Sequence, residues 1–321
     1  MNTDRSSIRV HLRNSRAKIF FLCFFGLLFS CSSPTEKTAS NTTATREEKR
    51  ETRAIRVAIK RVEPFFKPMG KPESYDWLGS HNEPGQTFDE YLDSDPTKPT
   101  SDRQKIYVLP LGTFTTQQMK IIEFTTGYLG AFYDLNVEQM PQRKLQASLP
   151  HTRQNRFTKT RQIKTVFILN DVLIKILPHD AAALIAFTNE DLYPDDSMNY
   201  VFGQASLEDR VGVWSLSRLD DNANYDKFLR RTLKIAVHET GHMFSMRHCT
   251  KYECVMSGTN QLAETDRRPI DACPECMAKI CWLSNIEPVE RYKKLADFCR
   301  RNSLLKDADE FSRKAAAVNK N

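Results

Sequence analysis

The 321-residue chain has no apolar run long enough to cross a bilayer. Ile19–Ser30 is twelve residues, short of the roughly 20 that a spanning helix needs. No internal repeat is apparent, which excludes solenoids and propellers. Large single-sign charge is also missing. Of the formal +7, five basic residues and Asp4 within residues 1–30 account for +4, leaving +3 on the rest. That is no electrostatic footprint for nucleic acid, and none is expected as a partner. Cysteine is scarce over most of the chain: six of the eight lie between Cys249 and Cys299.

What is present is concentrated in His238-Glu-Thr-Gly-His242-Met-Phe-Ser-Met-Arg-His248. Apolar Phe228, Leu229, Leu233, Ile235, Ala236 and Val237, interleaved with Lys227, Arg230, Arg231 and Lys234, predict a helix from Tyr225 to Phe244 with Asn224 as N-cap. On it, His238 and His242 are one turn apart and face the same way, so both imidazoles can reach one ion at about 2.0 Å. Glu239 is rotated off that face, well placed to take a proton from water at the metal. His248 can join only if the chain leaves the helix and turns back. Three neutral nitrogens leave zinc an open position, as a catalytic site requires. The bland alternative is a solvated helix carrying incidental histidines.

Cys249 with Cys254, and Cys273 with Cys276, form two ligand pairs suited to a tetrahedral four-thiolate zinc centre. Zinc would fold a segment with little apolar content of its own. Two disulfides, or four reduced buried thiols, remain open alternatives. Cys281 and Cys299 could pair or lie as free thiols.

The run His238-Glu239-x-x-His242-x5-His248-Cys249-x4-Cys254-x-Met256, closing with Cys273-x-x-Cys276, resembles the archaemetzincin family of zinc metallopeptidases. Gln162, Thr188–Pro194, Asn199–Ala205, Val211–Ser217, Glu264–Pro269 and Val289–Tyr292 fit the same pattern. Asp76–Leu78 and Gln86–Tyr91 resemble the amino-terminal region of eukaryote-type members, so the likeness covers roughly residues 76–295. The resemblance implies an α+β, zincin-like catalytic domain: a twisted mixed sheet, an active-site helix and a cysteine-rich zinc-binding lower subdomain. It implies His238, His242 and His248 on a catalytic zinc, and Glu239 as general base and then acid. It also implies Met256 as an apolar floor, the Met-turn, and the four cysteines on a second, structural zinc. Peptides or proteins would be the substrate. Ser245 stands where the family pattern has glycine, at a turn that often needs φ > 0, at a cost of about 1 kcal/mol. The third ligand is expected to survive it. An inactive peptidase fold that keeps its zinc and only binds is the alternative, but it has no need of Glu239.

Alternating elements organise the remainder. A strand is expected at Ile106–Leu111, a helix at Thr115–Phe132, helical recurrence over Arg161–Leu177 and a strand at Ala182–Phe187. Tyr200–Ala205 is the candidate sheet edge for pairing with substrate, with a simple core strand as the equal alternative. Residues 1–30 fit a signal peptide, and Leu28-Phe-Ser-Cys31 resembles a bacterial lipobox in which Cys31 is lipidated, with ordinary secretion or an uncleaved interfacial anchor as the alternatives. Residues 31–53 read as a disordered tether. Residues 54–103, rich in proline, read as an extension wrapping the core with little regular structure, and 104–321 as the peptidase domain with carboxy-terminal helices. The expected location is exported and membrane-anchored, at the periplasmic face or cell surface. An oxidising compartment there favours disulfides, against which bound zinc would protect the thiolates.

Overall fold

The structure, a computed structural model, describes residues 52–206, 209–220 and 224–320. The signal segment, Cys31 and nearly all of the expected tether lie outside the described residues. No described helix is long and apolar enough to cross a membrane.

The frame is a five-stranded mixed sheet, order β2-β1-β5-β8-β7. Its strands are β1 (Lys105–Pro110), β2 (Asn136–Gln139), β5 (Ala181–Thr188), β7 (Gly203–Ser206) and β8 (Val211–Ser215). The first four in spatial order run parallel, and β7 closes the edge antiparallel to β8. All eight residues of central β5 are buried, because a parallel strand is covered on both faces. A smaller sheet joins β3 (Thr152–Gln154), β4 (Arg161–Lys164) and β6 (Asp191–Tyr193).

Ten helices lie among the described residues. The amino-terminal set is α1 (52–62), α2 (Trp77–Ser80), α3 (Phe88–Asp93) and α4 (Thr116–Tyr133). The short α5 (Thr165–Phe167) runs on into a π turn and a 3-10 turn. After it come α6 (Tyr225–Met243), α7 (Leu262–Arg267), α8 (Pro274–Ser284), α9 (Pro288–Arg301) and α10 (Leu305–Val318). Thr115 opens α4 with a capping box to Gln118, and Asn224 caps α6 by accepting from the Lys227 amide at 3.0 Å.

Two expectations need correction. Arg161–Leu177 is not helical throughout: its first four residues form β4, because Gln162 is drawn into a buried polar network. Its amide donates to Asp191 Oδ2 (3.0 Å) and Asn199 O (2.9 Å), and Asp191 is in turn held by Arg218. Nor is the 54–103 extension loosely structured. Ile55, Ala58 and Val62 of α1 belong to the same buried core as Phe311 and Ala315 of α10. Residues 52 and 53, the last two of the expected tether, are helical.

Candidate active site and thiolate cluster

Helix α6 packs against β5, β7 and β8, and its last two turns carry the motif. It ends in a Schellman turn: the Met246 amide donates to Gly241 O (3.0 Å) and the Ser245 amide to His242 O (2.9 Å). Ser245 occupies the left-handed position, φ +64°. The turn sends the chain back, as His248 requires. Ser245 Oγ accepts from the Thr97 amide at 3.0 Å, which offsets part of the cost of a non-glycine residue there.

The three imidazoles converge. Ring centroids lie 4.6, 4.9 and 5.2 Å apart, and His238 Nε2 is 3.0 Å from His242 Nε2. Each Nδ1 is taken by an oxygen: Val255 O for His238 (2.9 Å), Met246 O for His242 (2.6 Å) and Glu83 for His248 (2.8 Å). An Nδ1–H donated outward leaves a lone pair on Nε2 pointing inward, the ligand form of the ring. His248 Nε2 is buried with no partner, and so is Oε2 of Glu239. Burial pushes His238 down to about 3 and His242 in the same direction, so both rings are neutral at pH 7. Burial pushes the Glu239 carboxyl up to about 8. A dication beside these groups answers both problems: it takes the orphaned lone pairs and draws the carboxyl back toward ionisation. Two nitrogens on a tetrahedral zinc stand about 3.3 Å apart, close to the spacing seen. The residues fit zinc.

Met256 is fully buried. A Cβ on Gly241 would meet its Sδ at 2.7 Å, so only glycine lets the thioether approach the helix between the first two histidines. Two cavities flank the rings. One, of about 20 Å³, is lined by Phe202, His238, Glu239, Val255 and Arg268 among others. The other, of about 500 Å³, is lined by Trp77, Glu83, His242, Met246 and His248 among others. Phe202 precedes β7, so the chain entering the edge strand lines the smaller cavity.

Cys249, Cys254, Cys273 and Cys276 form a second buried cluster, their sulfurs within 4.8 Å of one another. Cys249 and Cys273 approach to 3.5 Å, too far for a disulfide and near the roughly 3.8 Å expected between thiolates on one zinc. Amides of Met256 and Cys273 point at Cys254 Sγ. Burial pushes the Cys254 and Cys273 thiols up, so thiolates at these two positions need a cation, whereas hydrogen bonds from the other three cysteines pull Cys249 down. The disulfide alternative does not hold. Cys281 and Cys299 are likewise free, buried thiols.

Sequence reasoning missed the outer partners. Glu83 sits in a proline-containing stretch without periodicity, and nothing in the sequence ties it to His248 across 165 positions. Trp77, whose ring meets His248 edge-on at 5.1 Å, lies in a segment noticed only for family likeness. The carbonyls of Met246 and Val255 carry no side-chain signal at all.

The model of peptidase family M54 matches residues 145–281. Archaemetzincin-2 of Macaca fascicularis is 34% identical over 281 residues, covering 76% of this chain and 78% of that protein. An archaemetzincin of Archaeoglobus fulgidus is 37% identical over 108 residues, covering 34% of this chain and 65% of that protein. A crystal structure of archaemetzincin from Methanopyrus kandleri aligns at 25% identity and TM-score 0.46, over 56% of this chain and 93% of that one. With the histidine and thiolate clusters in place, the chain belongs to the archaemetzincin family of zinc metallopeptidases.

Proposed function

We propose that this chain cleaves peptide bonds with one zinc on His238, His242 and His248, while a second zinc on Cys249, Cys254, Cys273 and Cys276 holds the surrounding segment. One observation carries the reading: three imidazoles converge, and Glu239, whose buried Oε2 has no partner, lines the same small cavity as His238. Zinc in the histidine site supplies Lewis acidity toward a peptide carbonyl and toward water. Glu239 takes the proton of the attacking water at Oε2 and delivers it to the leaving amine. The carbonyls of Val255 and Met246 and the Glu83 carboxylate keep the rings oriented, so the site is assembled before substrate arrives. Met256 is the apolar floor. An extended substrate pairs with the free edge of β7.

The test counts zinc per chain and follows peptide cleavage, with Glu239→Ala as control. Two zinc ions in both proteins, with kcat lowered about 10²–10⁴-fold by the substitution, is the expected result. Cleavage unchanged in the variant, or a single zinc per chain, defeats the mechanism.

The same proposal places the enzyme outside the cytoplasm, anchored through a lipid on Cys31. The support is the basic, apolar and lipobox-like order of residues 5–31. Labelled fatty acid should attach to the full-length chain in a bacterial host and not to Cys31→Ser. Equal labelling of both, or of neither, removes the anchor.

A further inference from the structure

We infer that Glu83 is a positioning residue of the histidine metal centre, which makes the segment from Trp77 to Thr97 part of that centre rather than a cover over it. The inference rests on the zinc reading above. His238 and His242 are set on a helix, and their Nδ1 atoms meet main-chain carbonyls. His248 has neither advantage. It stands in a stretch without helix or strand, and its Nδ1 partner is a side chain 165 positions away.

Both carboxylate oxygens of Glu83 face that nitrogen, at 2.8 and 3.1 Å. A charged acceptor binds Nδ1–H about twice as strongly as a carbonyl does, fixes the tautomer and raises the basicity of Nε2.

Glu83 is itself held between two anchored points. On one side the Trp77 amide donates to the Glu264 carboxylate (3.0 Å), and Asp76 pairs with Arg267 (2.6 Å). On the other, Gln86 spans the turn before His248. Its Oε1 accepts from the Arg247 amide (3.1 Å), its Nε2 donates to Ser245 O (3.4 Å), and its own carbonyl accepts from Lys279 Nζ (2.6 Å). Trp77 packs so tightly on the segment after Met256 that a Cβ on Gly258 would lie 2.5 Å from its ring. The carboxylate is therefore delivered to His248 by a rigid path.

The experiment compares the full chain with Glu83→Gln and Glu83→Ala. Zinc affinity at the histidine site is measured by competition with a chromophoric chelator, with thiolate-site zinc counted alongside. Cobalt(II) is then loaded into the histidine site and its visible spectrum recorded. Glu83→Ala is expected to weaken that site about 10- to 100-fold. Glu83→Gln keeps shape and an acceptor oxygen but not the charge. It should weaken the site less, about tenfold or under, and still displace the cobalt bands. Thiolate-site zinc should stay in both. Unchanged affinity and spectrum overturn the inference alone, as does equal loss from both sites, which would mark a purely structural role. A wild-type chain that binds no metal through its histidines would overturn this inference and the proposed function together.

Discussion

At the scale of single residues, Ser245 shows how a local penalty is absorbed. A left-handed serine costs about 1 kcal/mol relative to glycine, yet its hydroxyl accepts a main-chain hydrogen bond from Thr97 worth about the same. Ser245→Gly should therefore leave stability within about 1 kcal/mol of wild type. Ser245→Ala keeps the strain and loses the bond, and should be destabilised by about 1 kcal/mol. Denaturant unfolding of the three proteins decides it, and an alanine variant as stable as wild type would remove the compensation. The departure from family pattern was visible in the sequence. The Thr97 amide that answers it was not, because it lies 148 positions away.

Among elements, α6 is the case where pattern and burial diverge. The alternation of apolar and basic residues gave its limits to within a residue, and Asn224 as its cap. It did not show that Arg231 and Lys234 would be buried, since that depends on α7 and its flanking loop covering what would otherwise be the wet face. Arg231 is neutralised by a bidentate pair with Asp266 at 2.8 Å. Lys234 has only two carbonyls, of Thr265 and Asp266, and burial pushes it down to about 8. The sign follows. Free in the unfolded chain, a lysine titrates near 10.4, so between about pH 8 and 10.4 the unfolded state binds more protons and stability rises with pH. Lys234→Met should lack that rise. The wild type is expected to gain on the order of 2–3 kcal/mol relative to the variant between pH 7 and 10.5. Parallel stability-against-pH curves would contradict the assignment. The first turn of the Arg161–Leu177 stretch failed differently: helical spacing was real, but a buried glutamine network drew those residues into a strand.

Over the whole molecule, the two clusters are mechanically joined. Cys249 adjoins His248, and Cys254 adjoins Val255, whose carbonyl orients His238. A zinc held by the four thiolates would thus support structure as well as activity, and its removal should cost both. Structural zinc in small peptides is worth about 10–16 kcal/mol, comparable to the whole stability of a typical domain. Cys254→Ser should lower the melting temperature more than His248→Ala does, while abolishing cleavage as fully. Calorimetry with zinc counting checks this, and a larger drop for the histidine variant would refute it.

Sequence alone marked the candidate chemistry: two histidines and a glutamate at helical spacing, a third histidine six residues on, and four cysteines in two pairs. Those are properties of neighbours along the chain, where geometry is set by rise and turn per residue. Only the tertiary structure decided what holds His248 and the turn before it, since Glu83, Trp77 and Thr97 approach from positions 148 to 171 residues before the residues they touch. It also decided that the amino-terminal extension shares one core with α10, and that the cysteines cluster without disulfides. Contacts of that range depend on how layers pack, and periodicity carries no record of them.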